Sequence, residues 1–516
     1  MAEGAPPSKN LAHRLTTQDA SFLYGESASG PLHIGSLAIF DGEVDFARML
    51  EHLERRMHLL PRYRQRLGFV PFNLAHATWE DDPDFDLRNH LFNHKLARDT
   101  DVPDAVEEML RLYETPLDRK RPLWEMHLFN GIKDGRSAVM WKVHHCLVDG
   151  VSGMELLTIT LDFRADAAPP APPEKPWQPH AMPTPARALI SAAFDLAQAN
   201  VEAARRAAEQ LLQNPTTIAG RNAAALTSAS RVLQRLARPI VPAPWSSAPV
   251  TKSRSLAWVR TSFGDLRKIR AEFGGTLNDV VLTMLGEGAA RYFVKHQVKT
   301  AGLPLRIGCP VNVRRGGESA TLGNRVSMMF PELDSSPMDP VERLKAVATE
   351  TERIKMNQEP QTLEALMTVS DIIPPALMGL TSTLATTAID AAAWLSGRAP
   401  WLARMLTPPA AGINFIATNV PGAQVPLYLT GLKMVDYVGL IPLGGNLGYG
   451  VAIVSYNQDL FFGLMAEPNV MPDVAFMRDC VEAVFQELKA AAEARIAASQ
   501  HQHSAAEAVE STTHAA

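Results

Sequence analysis

The segment SAVMWKVHHCLVDG, residues 137–150, carries the strongest fold signal in this chain. Ala138–Val143 is apolar except for Lys142 and predicts a buried β-strand, because strands covered on both faces are nearly continuously apolar. The strand ends at His144 and His145, and the following Ser152–Glu155 fits a capping box that would start a helix. We therefore expect the two histidines on a strand-to-helix turn, where side chains can face a cleft.

Asp149 and Gly150 follow the histidine pair, and together with it they favour a functional site at this turn. Adjacent strand residues point to opposite faces of a sheet, so both imidazoles cannot easily enter one cavity. We therefore expect no metal site on His144 and His145, and no nucleophile at Cys146. One core histidine and one surface histidine would be the plain alternative. A carboxylate four residues after His145 can fix local geometry, and the glycine permits a positive φ, which favours a site.

Length and composition limit the class of protein. The 516 residues suggest two large domains or three smaller ones, and the 46% apolar content is that of a globular protein. The 50 basic and 55 acidic side chains leave a net charge of −5, so we expect no nucleic-acid partner. The three cysteines are too few for a disulfide framework, which is typical of a cytoplasmic protein.

The chain shows no signal for crossing a membrane. The N-terminus has no apolar run that could form a signal-peptide core. The most apolar long stretch, residues 374–408, contains Asp390, Arg398 and Arg404, whereas a spanning helix needs about 20 nearly uninterrupted apolar residues. Binding to a membrane surface remains open.

Shifts in composition predict four regions. Residues 1–165 form a mixed α/β lobe, and residues 166–250 form a proline- and alanine-rich helical linker. Residues 251–498 form a second lobe with a helix capped by Thr276, a hairpin at VAIVSY–NQD–LFFGLM and a long closing helix from Val474. Residues 499–516 are polar and predict a disordered tail.

The histidine motif and several others resemble one family. HHCLVDG matches the HHxxxDG signature of condensation-type acyltransferases, which include chloramphenicol acetyltransferase-like enzymes and peptide-synthetase condensation domains. The ordered set resembles the bacterial wax ester synthase/acyl-CoA:diacylglycerol acyltransferase family over roughly Leu15 to Ala490. Its further motifs are LTTQDASFLYGE (15–26), PLHIGSLAIF (31–40), RPLWEMHLF (121–129), LNDVVL (277–282), GCPVNVR (308–314), LGNRVSMMF (322–330) and ATNVPGAQVPLYLTG (417–431).

This resemblance implies an α/β fold of two chloramphenicol acetyltransferase-like lobes, joined by the helical, proline-rich linker, with the active-site tunnel between them. It implies an O-acyltransferase that moves a long-chain acyl group from acyl-CoA to diacylglycerol, to a long-chain alcohol, or to both. His145 would be the general base, since an imidazole with an unperturbed pKa of about 6.5 can take a hydroxyl proton at cytosolic pH. Acyl-CoA is a substrate, and no cofactor is implied.

The resemblance also implies supporting residues. His144 and Gly150 would shape the turn, and Asp149 would brace it through an arginine. The residues alone leave the choice of arginine open among Arg62, Arg66 and Arg314. Arg62 and Arg66 would share a face if their segment were helical.

Two further motifs have plain structural explanations. Pro122–Trp124 is best explained as core packing on a strand. Asn278 and Asp279 lie in the first turn of a predicted helix, where capping accounts for them nearly as well as a role in the site.

Two other functions compete with this hypothesis. One is a condensation-like acyltransferase that uses carrier-protein thioesters, although the chain has no Gly-Asp-Ser carrier signature. The other is a non-catalytic lipid-droplet or acyl-binding protein, which would need no base at His145. The implied partners are acyl-CoA, the lipid acceptor and a membrane or lipid-droplet surface met from the cytoplasm. Ile372–Leu406 and the linker helices are the candidates for docking there, although packing between the lobes explains them equally well.

Overall fold

A computed structural model describes residues 14–147, 156–213, 230–300 except 231 and 233, 302–312, 326–360, 375–399 except 397, and 412–513. The main helices are α1 (Thr17–Gly25), α2 (Phe46–Glu54), α3 (Val102–Tyr113), α4 (Pro185–Gln213), α5 (Phe263–Phe273), α6 (Leu277–Lys295), α7 (Pro340–Met356), α8 (Pro375–Ser396) and α9 (Val474–Thr513). The strands are β1 (His33–Phe40), β2 (Gln65–Gly68), β3 (Thr78–Asp81), β4 (Leu91–Thr100), β5 (Trp124–Ile132), β6 (Arg136–His144), β7 (Ser255–Ser262), β8 (Pro304–Asn312), β9 (Val326–Met329), β10 (Glu332–Asp334), β11 (Phe415–Val420), β12 (Tyr428–Leu429), β13 (Leu432–Leu440), β14 (Tyr449–Tyr456) and β15 (Asp459–Ala466).

The described strands form two large sheets and a small hairpin. The first sheet has the order β12-β13-β1-β6-β5-β4, and the second has the order β10-β8-β11-β14-β15-β7, with β9 paired to β8. Helix α3 packs on the first sheet, and α5, α6 and α9 pack around the second. Each sheet has its own large hydrophobic core. The predicted two-lobed α/β architecture is confirmed.

Strand β13 links the two lobes, because it lies late in the chain and yet belongs to the first sheet. It pairs antiparallel with β1, from Gly35 opposite Leu440 onward. One face of β13 packs closely on the second sheet. A Cβ added to Gly463 of β15 would lie 2.3 Å from the carbonyl oxygen of Gly439 in β13. Glycine is therefore required where the sheets meet. A domain division based on sequence position alone does not predict that this late strand joins the first sheet.

Several local predictions are confirmed. β6 ends at His144, as the apolar run before the histidines predicts. The predicted hairpin is β14–β15, whose two-residue turn places Asn457 and Gln458 at positive φ. Asparagine tolerates this conformation because its short side chain can bond locally.

The described parts of the linker are docked on both lobes. Its last part, residues 234–250, packs on the second lobe, where Arg235 pairs with Glu350 and Glu359 and Trp245 joins the core.

The first part of the linker lies on the first lobe. The guanidinium of Arg64 lies over the ring of Trp177, 4.5 Å from its centroid. The backbone N–H and Nδ1 of His180 both approach Asp81 Oδ2, at 3.0 and 2.7 Å. The proline-rich segment is therefore extended and yet held against the lobe by specific contacts.

Two local expectations differ from the structure. Arg62 lies in a 3-10 turn and Arg66 in β2, so no helix puts them on one face, because Pro61 starts only a short turn. Helix α9 continues to Thr513, where we expected disorder from residue 499. Alanine, glutamate and glutamine are good helix formers, so low hydrophobicity does not end this helix. No helix among the described residues is long and apolar enough to cross a membrane.

Candidate active site

His144 is the buried member of the histidine pair. Its side chain is 1% exposed, and its Nδ1 accepts a hydrogen bond of 3.1 Å from the backbone N–H of Cys146. That bond leaves the ring proton on Nε2, which faces Glu26 Oε1 at 3.5 Å. Cys146 is buried as well, and burial raises the pKa of its thiol far above the usual range. His144 therefore shapes the turn, and Cys146 is no thiolate nucleophile.

Glu26 is a buried carboxylate behind the turn. Its side chain is 6% exposed, and Oε2 accepts a hydrogen bond of 2.8 Å from Arg119 Nη2. Oε1 accepts from the backbone N–H of Leu32 at 3.1 Å. Burial alone would raise the pKa of Glu26, but His144 and Arg119 outweigh burial and lower this pKa to about 2. Glu26 is therefore ionised at neutral pH and fixes the side of His144 that carries the proton.

His145 is half-buried and presents its ring differently. Its backbone N–H donates to the carbonyl of Leu32 at 3.0 Å, which fixes the main chain of the turn to the start of β1. Its ring lies flat on Phe22, with centroids 3.8 Å apart and an interplanar angle of 4°. A partly exposed imidazole held in one plane is suited to proton transfer with a bound substrate.

Helix α1 therefore contacts both histidines. Thr16 caps its first turn by accepting from the N–H of Asp19. Phe22 lies near its end, and Glu26 is the extended residue that directly follows its last turn. One short helix and the residue that ends it therefore support His145 with a ring and His144 with a charge. Both residues lie within the motif LTTQDASFLYGE, which alone indicates no role for either of them.

Phe22 offers a test of this arrangement as a positioning residue. We expect Phe22→Ala to lower kcat by about tenfold or more, because the imidazole of His145 loses its support and small misplacements are costly. The KM for acyl-CoA and the melting temperature should change little, since Phe22 is only half-buried. Phe22→Tyr keeps the ring and should retain most of kcat. Equal kcat values for the alanine variant and wild type would show that the stacking does not position the base.

The predicted brace at Asp149 lies outside the described residues, as do Gly150, Arg314 and the capping box at residues 152–155. The two described candidate arginines have other partners. Arg66 pairs with Asp82 at 3.5 Å, and Arg62 donates to Gln65 Oε1 at 2.9 Å. The role of Asp149 and its arginine thus stays a prediction.

Asn278 and Asp279 lie at the start of α6 in the second lobe. Asp279 is buried and accepts from the N–H of Thr276 at 2.7 Å and from the hydroxyl of Thr351 at 2.7 Å. With Thr276 it forms a reciprocal capping box. Asn278 is half-buried and accepts from Asn419 Nδ2 at the longer distance of 3.4 Å. These contacts favour a structural role for Asp279.

Asp279→Ala should therefore act on stability. We expect it to lower the free energy of unfolding by about 1–2 kcal/mol, the usual cost of losing a helix cap. Turnover measured well below the melting temperature should stay near that of wild type. A variant that melts like wild type but has lost turnover would place this carboxylate in the chemistry instead.

The Pro122–Trp124 motif packs in the core, as expected. Leu123 is fully buried, and Trp124 is 4% exposed. The indole N–H of Trp124 donates to the carbonyl of Tyr63 at 2.8 Å, and its ring stacks on His90. The motif therefore fixes the start of β5, beside the end of β6.

Metal chemistry finds no support in this part of the molecule. Within the described ranges, no three side chains of histidine, cysteine, aspartate or glutamate come together in a way that could hold a metal ion. What the turn offers is one half-exposed imidazole on a rigid support. That arrangement can take a proton from a hydroxyl and return it to a leaving group.

Comparisons with known proteins agree with the motifs. Residues 15–281 match the wax ester synthase/diacylglycerol acyltransferase catalytic domain, and residues 322–489 match the C-terminal domain of the same family. The chain is 28% identical over 481 residues to a Mycobacterium tuberculosis (strain CDC 1551 / Oshkosh) protein named "Probable diacyglycerol O-acyltransferase tgs1", covering 91% of this chain and 94% of that one. It is 27% identical to "Probable diacyglycerol O-acyltransferase tgs2" of the H37Rv strain, covering 92% and 99%.

Solved structures share the fold. The wax ester synthase/diacylglycerol acyltransferase from Marinobacter aquaeolei VT8 superposes with a TM-score of 0.60 at 23% identity, covering 93% of this chain and 100% of that one. The first condensation domain of the calcium-dependent antibiotic synthetase gives a TM-score of 0.54 at 16% identity, covering 93% and 96%. These likenesses concern the fold alone.

Family membership therefore rests on the two domain matches, which together span most of the chain. They confirm the resemblance inferred from the motifs and the prediction of an acyltransferase enzyme, and the two competing functions are not favoured. The chain belongs to the wax ester synthase/diacylglycerol acyltransferase family.

Proposed function

We propose that this chain transfers a long-chain acyl group from acyl-CoA to the hydroxyl of diacylglycerol, of a long-chain alcohol, or of both, with His145 as general base. The observation that supports this most is the half-buried imidazole of His145, held flat on Phe22 at the end of β6. His144 is unsuited to the same task because its Nδ1 already accepts from the backbone within a buried turn.

The proposed reaction needs no net proton. The imidazole of His145 takes the proton of the acceptor hydroxyl as its oxygen attacks the thioester carbonyl carbon. The tetrahedral intermediate then collapses, the C–S bond breaks, and the CoA thiolate receives the proton from the imidazolium. General base catalysis of this kind contributes about 10²–10⁴-fold, so substrate positioning and stabilisation of the oxyanion supply the rest.

We propose no cofactor, with acyl-CoA as substrate, and a cytoplasmic enzyme that works at the surface of a membrane or lipid droplet. The acceptors and products of the reaction dissolve in lipid rather than in water. A peripheral enzyme reaches such molecules from the surface of the lipid phase. Exposed large apolar side chains on the linker helix α4 and on α8 support this peripheral location.

Thiol release from palmitoyl-CoA tests the proposal. The purified protein should release CoA thiol when hexadecanol or dipalmitoylglycerol is added, and much less without an acceptor. Comparing initial rates with the two acceptors identifies the preferred one. Thiol release that no hydroxyl acceptor stimulates would overturn the proposal, and transfer only from a carrier-protein thioester would point to the condensation-like alternative.

A further inference from the structure

More than half of the exposed large apolar side chains among the described residues lie in three neighbouring segments. These are the turn at residues 69–74, the start of α4, and α8. The turn packs against both helices. The exposed side chains are Phe69, Phe72, Leu74, Ile190, Phe194, Leu377, Leu380 and Leu384, which we call the apolar face. Contiguous exposed apolar surface of this kind usually marks an interaction site.

Helix α8 shows the pattern most clearly. One solvent-facing stripe is apolar, with the steps of three and four residues that keep to one helix face, and exposed threonines flank it. The stripe runs Leu377, Leu380, Leu384, Ala388, Ala391 and Trp394. Its one charged residue, Asp390, accepts hydrogen bonds from the backbone N–H groups of Ala28 and Ser29, at 3.2 and 2.9 Å. The only charged side chain of α8 therefore bonds to the protein itself, whereas its leucines face solvent. An ordinary surface helix buries its leucines and exposes its charges.

The turn at residues 69–74 adds a second, independent sign. Phe72 is 85% exposed, although its backbone adopts the left-handed conformation, with φ 59° and ψ 14°. Asn73 follows with φ 51°. A bulky residue in this conformation costs roughly 1–3 kcal/mol, and strain of this kind usually persists where function needs it. Here the strained backbone keeps the ring of Phe72 in solvent, so burial of this ring does not stabilise the isolated protein.

The surroundings of the apolar face favour a lipid surface as its occupant. The face protrudes at Phe72 and is no groove. Arg187 is exposed in the first turn of α4, and the guanidinium of Arg398 lies over Trp394 beyond the other end of α8, 4.3 Å from its centroid. Aromatic and basic side chains at the border of an apolar surface fit the headgroup level of a bilayer, where anionic lipids attract the arginines.

The apolar face also lies beside the histidine turn. Helix α8 packs on α1, the helix that carries Phe22 beneath His145. A Cβ on Gly379 of α8 would lie 3.4 Å from Asn73 Nδ2, so the exposed turn and α8 meet closely. A lipid surface seated on this face would meet the molecule on the side where the base is held.

We infer that the apolar face is the lipid-docking surface of this protein, through which Phe72 and the leucines of α8 insert among phospholipid headgroups and upper acyl chains. The inference rests on the proposed function in one respect, because the lipid-dissolved acceptors make docking useful. Its physical content, binding to phospholipid, is independent of turnover.

Co-sedimentation with vesicles of equal parts phosphatidylcholine and phosphatidylglycerol tests the inference. Phe72→Ser and the pair Leu380→Ser with Leu384→Ser should each lower vesicle affinity, by about tenfold for every side chain that inserts fully. The matched controls are Val294→Ser and Met356→Ser in the second lobe, which are 63% and 78% exposed and lie outside the apolar face. The controls should bind like wild type.

The outcomes separate docking from catalysis. Turnover of hexanoyl-CoA with butanol, both soluble in water, should be the same in all these variants as in wild type. Variants that keep wild-type vesicle affinity would overturn the docking surface, whatever their turnover. A wild-type protein that forms stable dimers without lipid, and that the same substitutions make monomeric, would assign the face to self-association instead. Vesicle binding without turnover of any acceptor would contradict the proposed function and leave docking in place.

Discussion

Replacing His145 with alanine is expected to lower acyl transfer by at least about a hundredfold, because general base catalysis contributes about 10²–10⁴-fold in enzymes of this kind. The fold should survive, since the ring is half-buried and packs on Phe22 at the surface of α1. Initial rates with palmitoyl-CoA and hexadecanol, beside thermal melts, measure the two effects separately.

The neighbouring histidine is the matched control. His144→Ala removes the acceptor for the N–H of Cys146 and the ring that faces Glu26 in a buried turn. An unsatisfied buried polar group costs about 1–3 kcal/mol, so His144→Ala should lower the melting temperature, which His145→Ala should not. Retention of more than about a tenth of the wild-type rate in His145→Ala would contradict the general base assignment.

Glu26→Ala is expected to destabilise the first lobe by about 3 kcal/mol. It leaves the N–H of Leu32 without its acceptor and Arg119 without its carboxylate. The loss of stability is smaller than for a fully buried ion pair, because Arg119 is 39% exposed and water can solvate its charge. Turnover should also fall, since Glu26 holds the ring that precedes His145. Thermal or urea unfolding at neutral pH measures the destabilisation.

The pH dependence gives the same carboxylate a distinctive signature. The pKa of Glu26 is lowered from its ordinary 4.5 to about 2 in the folded protein, so the unfolded chain binds its proton first as the pH falls. The stability that Glu26 contributes is therefore fully present above about pH 5 and is lost as the pH falls toward 2. The gap between wild type and Glu26→Ala should narrow over that range.

An exposed glutamate provides the comparison. Glu107 pairs with Arg111 on the surface of α3, where the two side chains are 71% and 61% exposed. Glu107→Ala should change the free energy of unfolding by less than about 1 kcal/mol, as exposed ion pairs usually do. If Glu26→Ala were as mild as this control, Glu26 would not support the turn.

Local patterns predicted the elements around the site well. The apolar run before His144 predicted β6, Thr276 predicted the start of α6, and the spacing of the apolar residues around Asn457 predicted the β14–β15 hairpin. Each of these signals lies within a few residues of the element that it predicts. Hydrophobic period and capping are local properties, so a single sequence carries them in full.

Contacts between distant parts of the chain escaped prediction. The stack of Phe22 on His145 joins two segments far apart in the sequence, and the bond from Ser29 to Asp390 spans 361 residues. No periodicity encodes which distant side chain a helix face will meet. The sequence could not predict that the leucines of α8 are exposed, because an apolar stripe alone is as consistent with burial as with docking.

Strand β13 has a consequence for how the protein is made. β1 pairs early with β6, but it gains its second antiparallel neighbour, β13, only when residues 432–440 have left the ribosome, about 400 residues after β1 itself. At the usual rates of synthesis that delay is roughly 20–80 s. During this time one edge of β1 presents unpaired backbone groups to every other nascent chain. Co-expression of chaperones should therefore raise the soluble yield of this protein.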